Sequence, residues 1–422
     1  MISIDKRVFS FVALLAASFL MSACGGGNSS SGSNNNNPPP ATGTAISVSF
    51  GGAAPIALAE QIGTGNWTAA SLQGSTLSFT VPSGTANYAI AYLCPTWQGM
   101  GPVNSEYVIE ATTADATTYT AYCIPSFTPG TISGNFDASA IPNTANVEIY
   151  AIETSQLVSG KTGAFSFQAP KGQNDIAVVA LDSSYNILGA KIVRGQTVPG
   201  TVPGTITLAA SDATATQTMA ATNIPAGFPT PVAGPYAEYT TANETIFPIS
   251  TTSDAYSVIP SSEAQGGDFY SFTANDSNTN NQSVGVTQVS TTAGAVSLSF
   301  PAPLTYVAPS TTANFPTFTI NYTGFSSDSS VSYVGNMQWA VTNTGPVDGI
   351  TVTATPNYQN GSATLAIPDL TALSGFLPAP ASGTSISWFA YVYGGNSPWF
   401  TPLGANSGTL SWGQNSGTYT QP

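Results

Sequence analysis

Histidine is absent from this 422-residue chain. That removes the Ser-His-Asp and Cys-His arrangements of nucleophilic catalysis and the usual zinc sites. Acid and base work would fall to carboxylates, as in glycoside hydrolysis, where two carboxyl groups face each other across a bound sugar. The C-terminal half offers Glu238, Glu244, Asp254, Glu263, Asp268, Asp276, Asp328, Asp348 and Asp369. No spacing among them singles out a pair, so a non-catalytic chain with no cofactor is expected. The run Asn275-Asp276-Ser277-Asn278-Thr279-Asn280-Asn281 is dense in oxygen ligands of the kind calcium takes. It lacks the acidic count and glycine spacing of a calcium loop and reads as a solvated hairpin loop, with no metal.

The sharper candidate is aromatic. In Trp388-Phe389-Ala390-Tyr391-Val392-Tyr393 a strand would put Phe389, Tyr391 and Tyr393 on one face and Trp388, Ala390 and Val392 on the other, with Trp399, Phe400 and Trp412 downstream. One face must be core. If the other is open, Phe389, Tyr391, Tyr393 and Trp399 offer a flat platform on which sugar rings or apolar ligands could stack, with nearby Asn and Ser to hydrogen-bond them. The competing reading buries both faces between layers.

Charge narrows the partners. Only 6% of residues are charged and the net charge is −14, against 42% hydrophobic content. Beyond the first 24 residues the basic side chains are Lys161, Lys171, Lys191 and Arg194 alone. Nucleic acid is excluded as a partner, because affinity for phosphate backbones comes from Lys and Arg neutralising them. Anionic headgroups are disfavoured on the same ground. A surface this poor in charge must be solvated by Ser, Thr, Asn and Gln.

The elements that carry these residues are short strands. Ile46-Ser47-Val48-Ser49-Phe50 and Leu77-Ser78-Phe79-Thr80-Val81 alternate apolar with hydroxyl residues, and the pattern recurs at Val147, Phe165, Val296, Phe318 and Ile350. With 41 Gly and 31 Pro, turns come too often for long helices. The expected fold is all-β: tandem small β-sandwiches, then a larger C-terminal β-sandwich region. Residues 369–376 could form one or two helical turns.

The N-terminus carries an address. Lys6 and Arg7 precede an apolar run from Val8 to Met21, too short to span a bilayer, and Leu20-Met21-Ser22-Ala23-Cys24 closes it. These residues resemble the lipobox of bacterial lipoproteins, which implies removal of residues 1–23, lipidation of Cys24 and attachment to the membrane through that lipid. Gly25, where an Asp would mark inner-membrane retention, implies the outer membrane by the same resemblance, with a periplasmic or cell-surface orientation. Residues 24–43, rich in Gly, Ser, Asn and Pro, are expected to be a disordered tether. With Cys24 consumed, Cys94 and Cys123 remain as one pair in an oxidising compartment, which favours a disulfide. Tyr92, Trp97, Tyr107, Tyr119 and Tyr122 are expected to pack around it.

An internal repeat is visible. Leu77-Ser78-Phe79-Thr80-Val81-Pro82-Ser83-Gly84, followed by Ala89-Ile90-Ala91, aligns without gaps on Phe165-Ser166-Phe167-Gln168-Ala169-Pro170-Lys171-Gly172, followed by Ala177-Val178-Val179. Each unit reads as a strand, a Pro-x-Gly turn and a second strand antiparallel to the first. The second copy, with Gly130-Thr131-Ile132-Ser133-Gly134, Val147-Glu148-Ile149-Tyr150 and Gly163-Ala164-Phe165-Ser166-Phe167, resembles carboxypeptidase-regulatory-like, or prealbumin-like, β-sandwich domains. It departs from their pattern after Gly172, where the expected aromatic is missing. The resemblance implies spacers and stabilisers.

The expected plan is a signal over 1–23, tether 24–43, sandwich 1 at 44–127, sandwich 2 at 128–210, a linker at 211–240 and a C-terminal β-region at 241–422. The function expected is a surface lipoprotein on which spacers form a stalk, presenting a C-terminal domain that binds a glycan or an envelope protein. The alternatives are a structural or assembly component of the envelope with no soluble ligand and, more remotely, a carboxylate-only glycoside hydrolase.

Overall fold

The computed structural model describes residues 43–97, 103–123, 128–229, 234–252, 254–320, 324–325, 330–340, 347–395 and 408–422. The signal, Cys24, nearly all of the tether, Asp328, Trp399 and Phe400 lie outside them. The described chain is all-β with one short helix, α1 (Pro356–Gln359), which Thr355 caps by accepting the Tyr358 N–H. Residues 369–376 form turns, not a helix.

Sandwich 1 contains β1 (Gly43–Gly52), β2 (Ala57–Ile62), β3 (Thr68–Ala69), β4 (Thr76–Pro82), β5 (Asn87–Trp97), β6 (Val103–Thr112) and β7 (Thr118–Cys123). Sandwich 2 contains β8 (Pro129–Asp137), β9 (Asn146–Ala151), β10 (Thr154–Ser159), β11 (Thr162–Pro170), β12 (Gly172–Leu181), β13 (Ile187–Val198) and β14 (Gly200–Thr207). Their topologies coincide strand for strand: β4-β1-β7 matches β11-β8-β14, and β3-β2-β5-β6 matches β10-β9-β12-β13. In both copies the last strand runs parallel to the first. The repeat read from sequence is therefore a repeat of structure.

One detail of that repeat differs from expectation. Gly84 and Gly172 both turn with positive φ, which glycine tolerates without a Cβ clash, yet the flanking strands do not form a hairpin. β4 and β11 pair with β1 and β8, while β5 and β12 enter the opposite sheet. The reason lies in the side chains. Residues 88–94 of β5 and 174–181 of β12 are buried on both faces, and continuous apolar runs such as Tyr88 to Cys94 and Ile176 to Leu181 belong at the centre of a layered structure.

What covers the second face is the C-terminal half. It contains β15 (Ala215–Thr222), β16 (Tyr236–Thr240), β17 (Ile246–Pro248), β18 (Ser250–Thr252), β19 (Ala255–Val258), β20 (Phe269–Ser277), β21 (Gln282–Ser290) and β22 (Val296–Ser299). These are followed by β23 (Thr317–Thr319), β24 (Ser330–Ala340), β25 (Val347–Ala354), β26 (Thr364–Ala366), β27 (Ser385–Gly395) and β28 (Gly408–Thr420). Ala177, Val179 and Ile192 of sandwich 2 share a core with Tyr239, Phe247, Phe272 and Val286. Ala59, Ala91, Leu93 and Val108 of sandwich 1 share another with Phe318, Met337, Val352 and Trp388.

The units also join edge to edge. β25 pairs in parallel with β6, so a twelve-stranded sheet runs β17-β16-β20-β21-β28-β27-β24-β25-β6-β5-β2-β3. The expected linear stalk is thus corrected: the C-terminal strands return to the first sandwich. The expected linker at 211–240 is corrected as well. Within it β15 pairs with β19 and β22 and buries Met219, and β16 begins at Tyr236. Its Ala/Thr composition hides a strand, because one large apolar side chain in eight residues carries no visible alternation.

Candidate functional site

Strand β27 alternates as its sequence requires. Ile386, Trp388, Ala390 and Val392 are buried, and Phe389, Tyr391 and Tyr393 are half-buried on the other face. Trp388 anchors the core side: its ring lies 6.2 Å from Phe318 and 6.0 Å from Tyr306. Gly417 on β28 makes room for it, since a Cβ there would sit 2.9 Å from the Trp388 indole nitrogen.

On the opposite face the three rings stand in file. Phe389 and Tyr391 are 6.1 Å apart with planes 25° from parallel, and Tyr391 and Tyr393 are 5.8 Å apart at 15°. Rings so close and so nearly parallel overlap as an offset stack. The result is a ladder of ring edges and hydroxyls more than the flat platform expected from sequence. Burial raises the Tyr391 phenol, with Tyr393 adding to the shift, and pushes Tyr393 up to about 12. Both hydroxyls therefore stay protonated at any physiological pH.

Neighbouring strands frame the ladder through their register. Phe389 sits between Asn336 of β24 and Ser416 of β28, Tyr391 between Val334 and Gln414, and Tyr393 between Ser332 and Trp412. Asn336 donates from Nδ2 to the Thr351 hydroxyl at 2.7 Å, but its buried Oδ1 has no partner among the described residues. Gln414 is 5% exposed and its Oε1 likewise has none among them. Trp412 lies over Gly285 of β21, where a Cβ would collide with the indole. Sequence reasoning missed Asn336 and Gln414, because only strand register brings them to this face.

The cysteine pair is joined as expected. Cys94 and Cys123 form a disulfide from β5 to β7, tying the two sheets of sandwich 1. Tyr92 lies in the same core, 5.2 Å from both Phe50 and Tyr107, and Tyr119 joins it. The side chains of Trp97 and Tyr122 lie outside the described residues.

Several of the carboxylates are taken up by partners of their own. Glu263 and Asp268 bind Lys191 and Arg194 of β13, Asp348 accepts from Asn104 at 2.6 Å, and Asp369 accepts from Thr371 in its own turn. Burial raises Glu238. The Asn275–Asn281 stretch is a β20–β21 hairpin closed by its own amides, Asn278 donating to Gln282 at 2.8 Å. Among the described residues, no group of three or more His, Cys, Asp or Glu could hold a metal ion.

Two carboxyls outside that set matter to the joint between units. Glu106 of β6 is 1% exposed and accepts the Leu377 N–H at 3.1 Å. Burial pushes it up to about 7 against that hydrogen bond, with Asp369 adding to the rise. Glu110, four residues on, is pushed up to about 8 by burial. No protein-family model matches the chain, and no curated protein matches it.

Proposed function

We propose that this chain is a non-catalytic surface lipoprotein, held through a lipid on Cys24 in the outer membrane and exposed to the periplasm or the cell exterior. Its β24–β27–β28 face binds a glycan or another envelope component. The observation that carries the binding role is the file of Phe389, Tyr391 and Tyr393, flanked by amides that have hydrogen-bonding capacity left over. Stacked aromatics with a few convergent polar groups are the common chemistry of ligand faces. The shared three-plus-four strand topology of the two repeats supports their likeness to prealbumin-like domains.

A glycan array probed with the whole chain tests this reading. Binding that disappears in the Tyr391→Ala/Tyr393→Ala double variant is expected; an array with no binding, or binding indifferent to that change, overturns it. The C-terminal half alone is unsuitable, because its core is completed by Ala59, Leu93 and Val108. Mass spectrometry of the mature N-terminus tests the anchor, and an unmodified Cys24 rules it out.

A structural role in the envelope is the competing reading. It is favoured by one observation, the continuity of a single sheet from sandwich 1 through the C-terminal half. A negative array would leave that reading in place.

A further inference from the structure

The geometry points to the class of ligand: we propose that the β27 face takes an uncharged, hydroxyl-rich glycan chain, with Gln414 Oε1 and Asn336 Oδ1 accepting its hydrogen bonds. This rests on the reading of that face as a binding site.

Three observations converge. Paired residues of antiparallel strands, and register partners generally, share a sheet face. Following the register outward from Tyr391 gives Val334 and Thr353 on one side and Gln414 and Ser283 on the other; from Tyr393 it gives Trp412 and Gly285. Among the described residues, the side chains on this face of β25, β24, β27, β28 and β21 include no Asp, Glu, Lys or Arg. A charged ligand would leave water for a surface with no counter-charge, on a molecule of net charge −14.

The second observation is the pair of orphan acceptors. A buried amide oxygen without a donor keeps its desolvation penalty uncompensated, and most buried polar atoms are satisfied. Here two lie on the strands that flank β27, one on each side, each beside a ring of the ladder. What they lack, among the described residues, is a donor. A sugar hydroxyl supplies one and carries no charge.

The third is the row itself. Three rings in file suit an extended chain of rings better than one isolated ring, and the two tyrosine hydroxyls remain protonated donors. Along the strand the acceptors stand level with Phe389 and Tyr391, and the donors are the hydroxyls of Tyr391 and Tyr393.

The test uses the whole chain and soluble polysaccharides of both kinds, neutral glucans and mannans against polyuronates, in calorimetric titrations at about 0.02 and 0.5 M salt, which brackets strong and weak screening. Expected are binding of a neutral polymer that shifts less than about twofold with salt, and binding of polyuronates weaker by about tenfold or more. Preferred binding of the acidic polymers overturns the ligand class while leaving the face as a binding site. No binding of either kind overturns both.

Gln414→Leu separates a ligand contact from a structural one. Removing an orphan acceptor relieves the free protein, so the variant should melt at the same temperature or a few degrees higher while its affinity falls about tenfold. A lower melting temperature, or an unchanged affinity, overturns the assignment. Asn336→Ala serves as the second variant, with the same expected loss of affinity.

Discussion

Arg194 of β13 reaches out of its own sandwich and clasps Asp268, Nη2 to Oδ2 at 2.6 Å and Nη1 to Oδ1 at 3.1 Å. The same Nη1 holds Asp175 at 2.9 Å, and neighbouring Lys191 holds Glu263 at 2.8 Å. A chain with so few cations concentrates two of them in the joint between sandwich 2 and the strands after it. Burial works against the Arg194 charge, but Asp268 and Asp175 hold its pKa above the usual value.

Breaking this clasp should be costly. Asp175 and Asp268 are almost fully buried, so Arg194→Met leaves two carboxylates without their cation and is expected to cost about 3–5 kcal/mol in urea unfolding. Arg194→Lys should fall between, because an ammonium cannot make both parallel bonds. A loss under about 1 kcal/mol for Arg194→Met would mean that the carboxylates are compensated some other way.

Acid should open the same joint. Burial alone would raise Asp175, yet hydrogen bonds from Asn243, Gly195 N–H, Arg194 and Thr241 outweigh it and hold the carboxyl below its usual range. A depressed carboxyl contributes stability that is present above the unfolded value of about 3.9 and fades as pH falls through the folded one. Melting followed from about pH 5 downward should show wild type losing stability faster than Asp175→Asn. Parallel curves for the two proteins would contradict this.

Glu106 works in the opposite sense. Its folded value, about 7, lies above the unfolded 4.5, so the folded state holds a proton that the unfolded state has released, and stability declines as pH rises from about 4.5 through 7. Glu106→Gln keeps the acceptor for Leu377 N–H and removes the titration. It should stabilise the protein by about 3 kcal/mol at pH 8 and by little at pH 4. Equal effects at both pH values would show that ionisation is not the cause.

Gly285→Ala is expected to push the Trp412 indole off its seat, because the new methyl meets the ring. Overpacking of this sort costs about 1–3 kcal/mol. Tryptophan fluorescence should change with it, along with whatever ligand affinity depends on the Trp412 end of the ladder. Unaltered emission would place the indole elsewhere.

Much of the molecule is legible in its residues. The alternation at Ile46–Phe50, the repeat linking Leu77 with Phe165, the Cys94–Cys123 bond and the two-sided character of β27 all follow from local pattern, and the structure contains each. What escapes is long-range pairing. Nothing local in Val103–Thr112 announces that β6 will take Val347–Ala354 as a parallel partner. The clue was present in Ala89-Ile90-Ala91 and Ala177-Val178-Val179, apolar at every position where a spacer with one wet face would alternate. Gln414 and Asn336 were illegible for the same reason: an amide gains meaning only from the strand beside it.

The pairing of β6 with β25 also sets the order in which the molecule can be finished. A chain synthesised from its N-terminus delivers Ala59, Ala91, Leu93 and Val108 long before Phe318, Val352 and Trp388 arrive to cover them. The first sandwich must wait half-dressed while more than half of the polypeptide is still to be made, and in that interval its bare apolar flank is a site for aggregation or for a holding chaperone. Premature termination anywhere before β25 should therefore yield not a shorter working protein but an unprotected fragment.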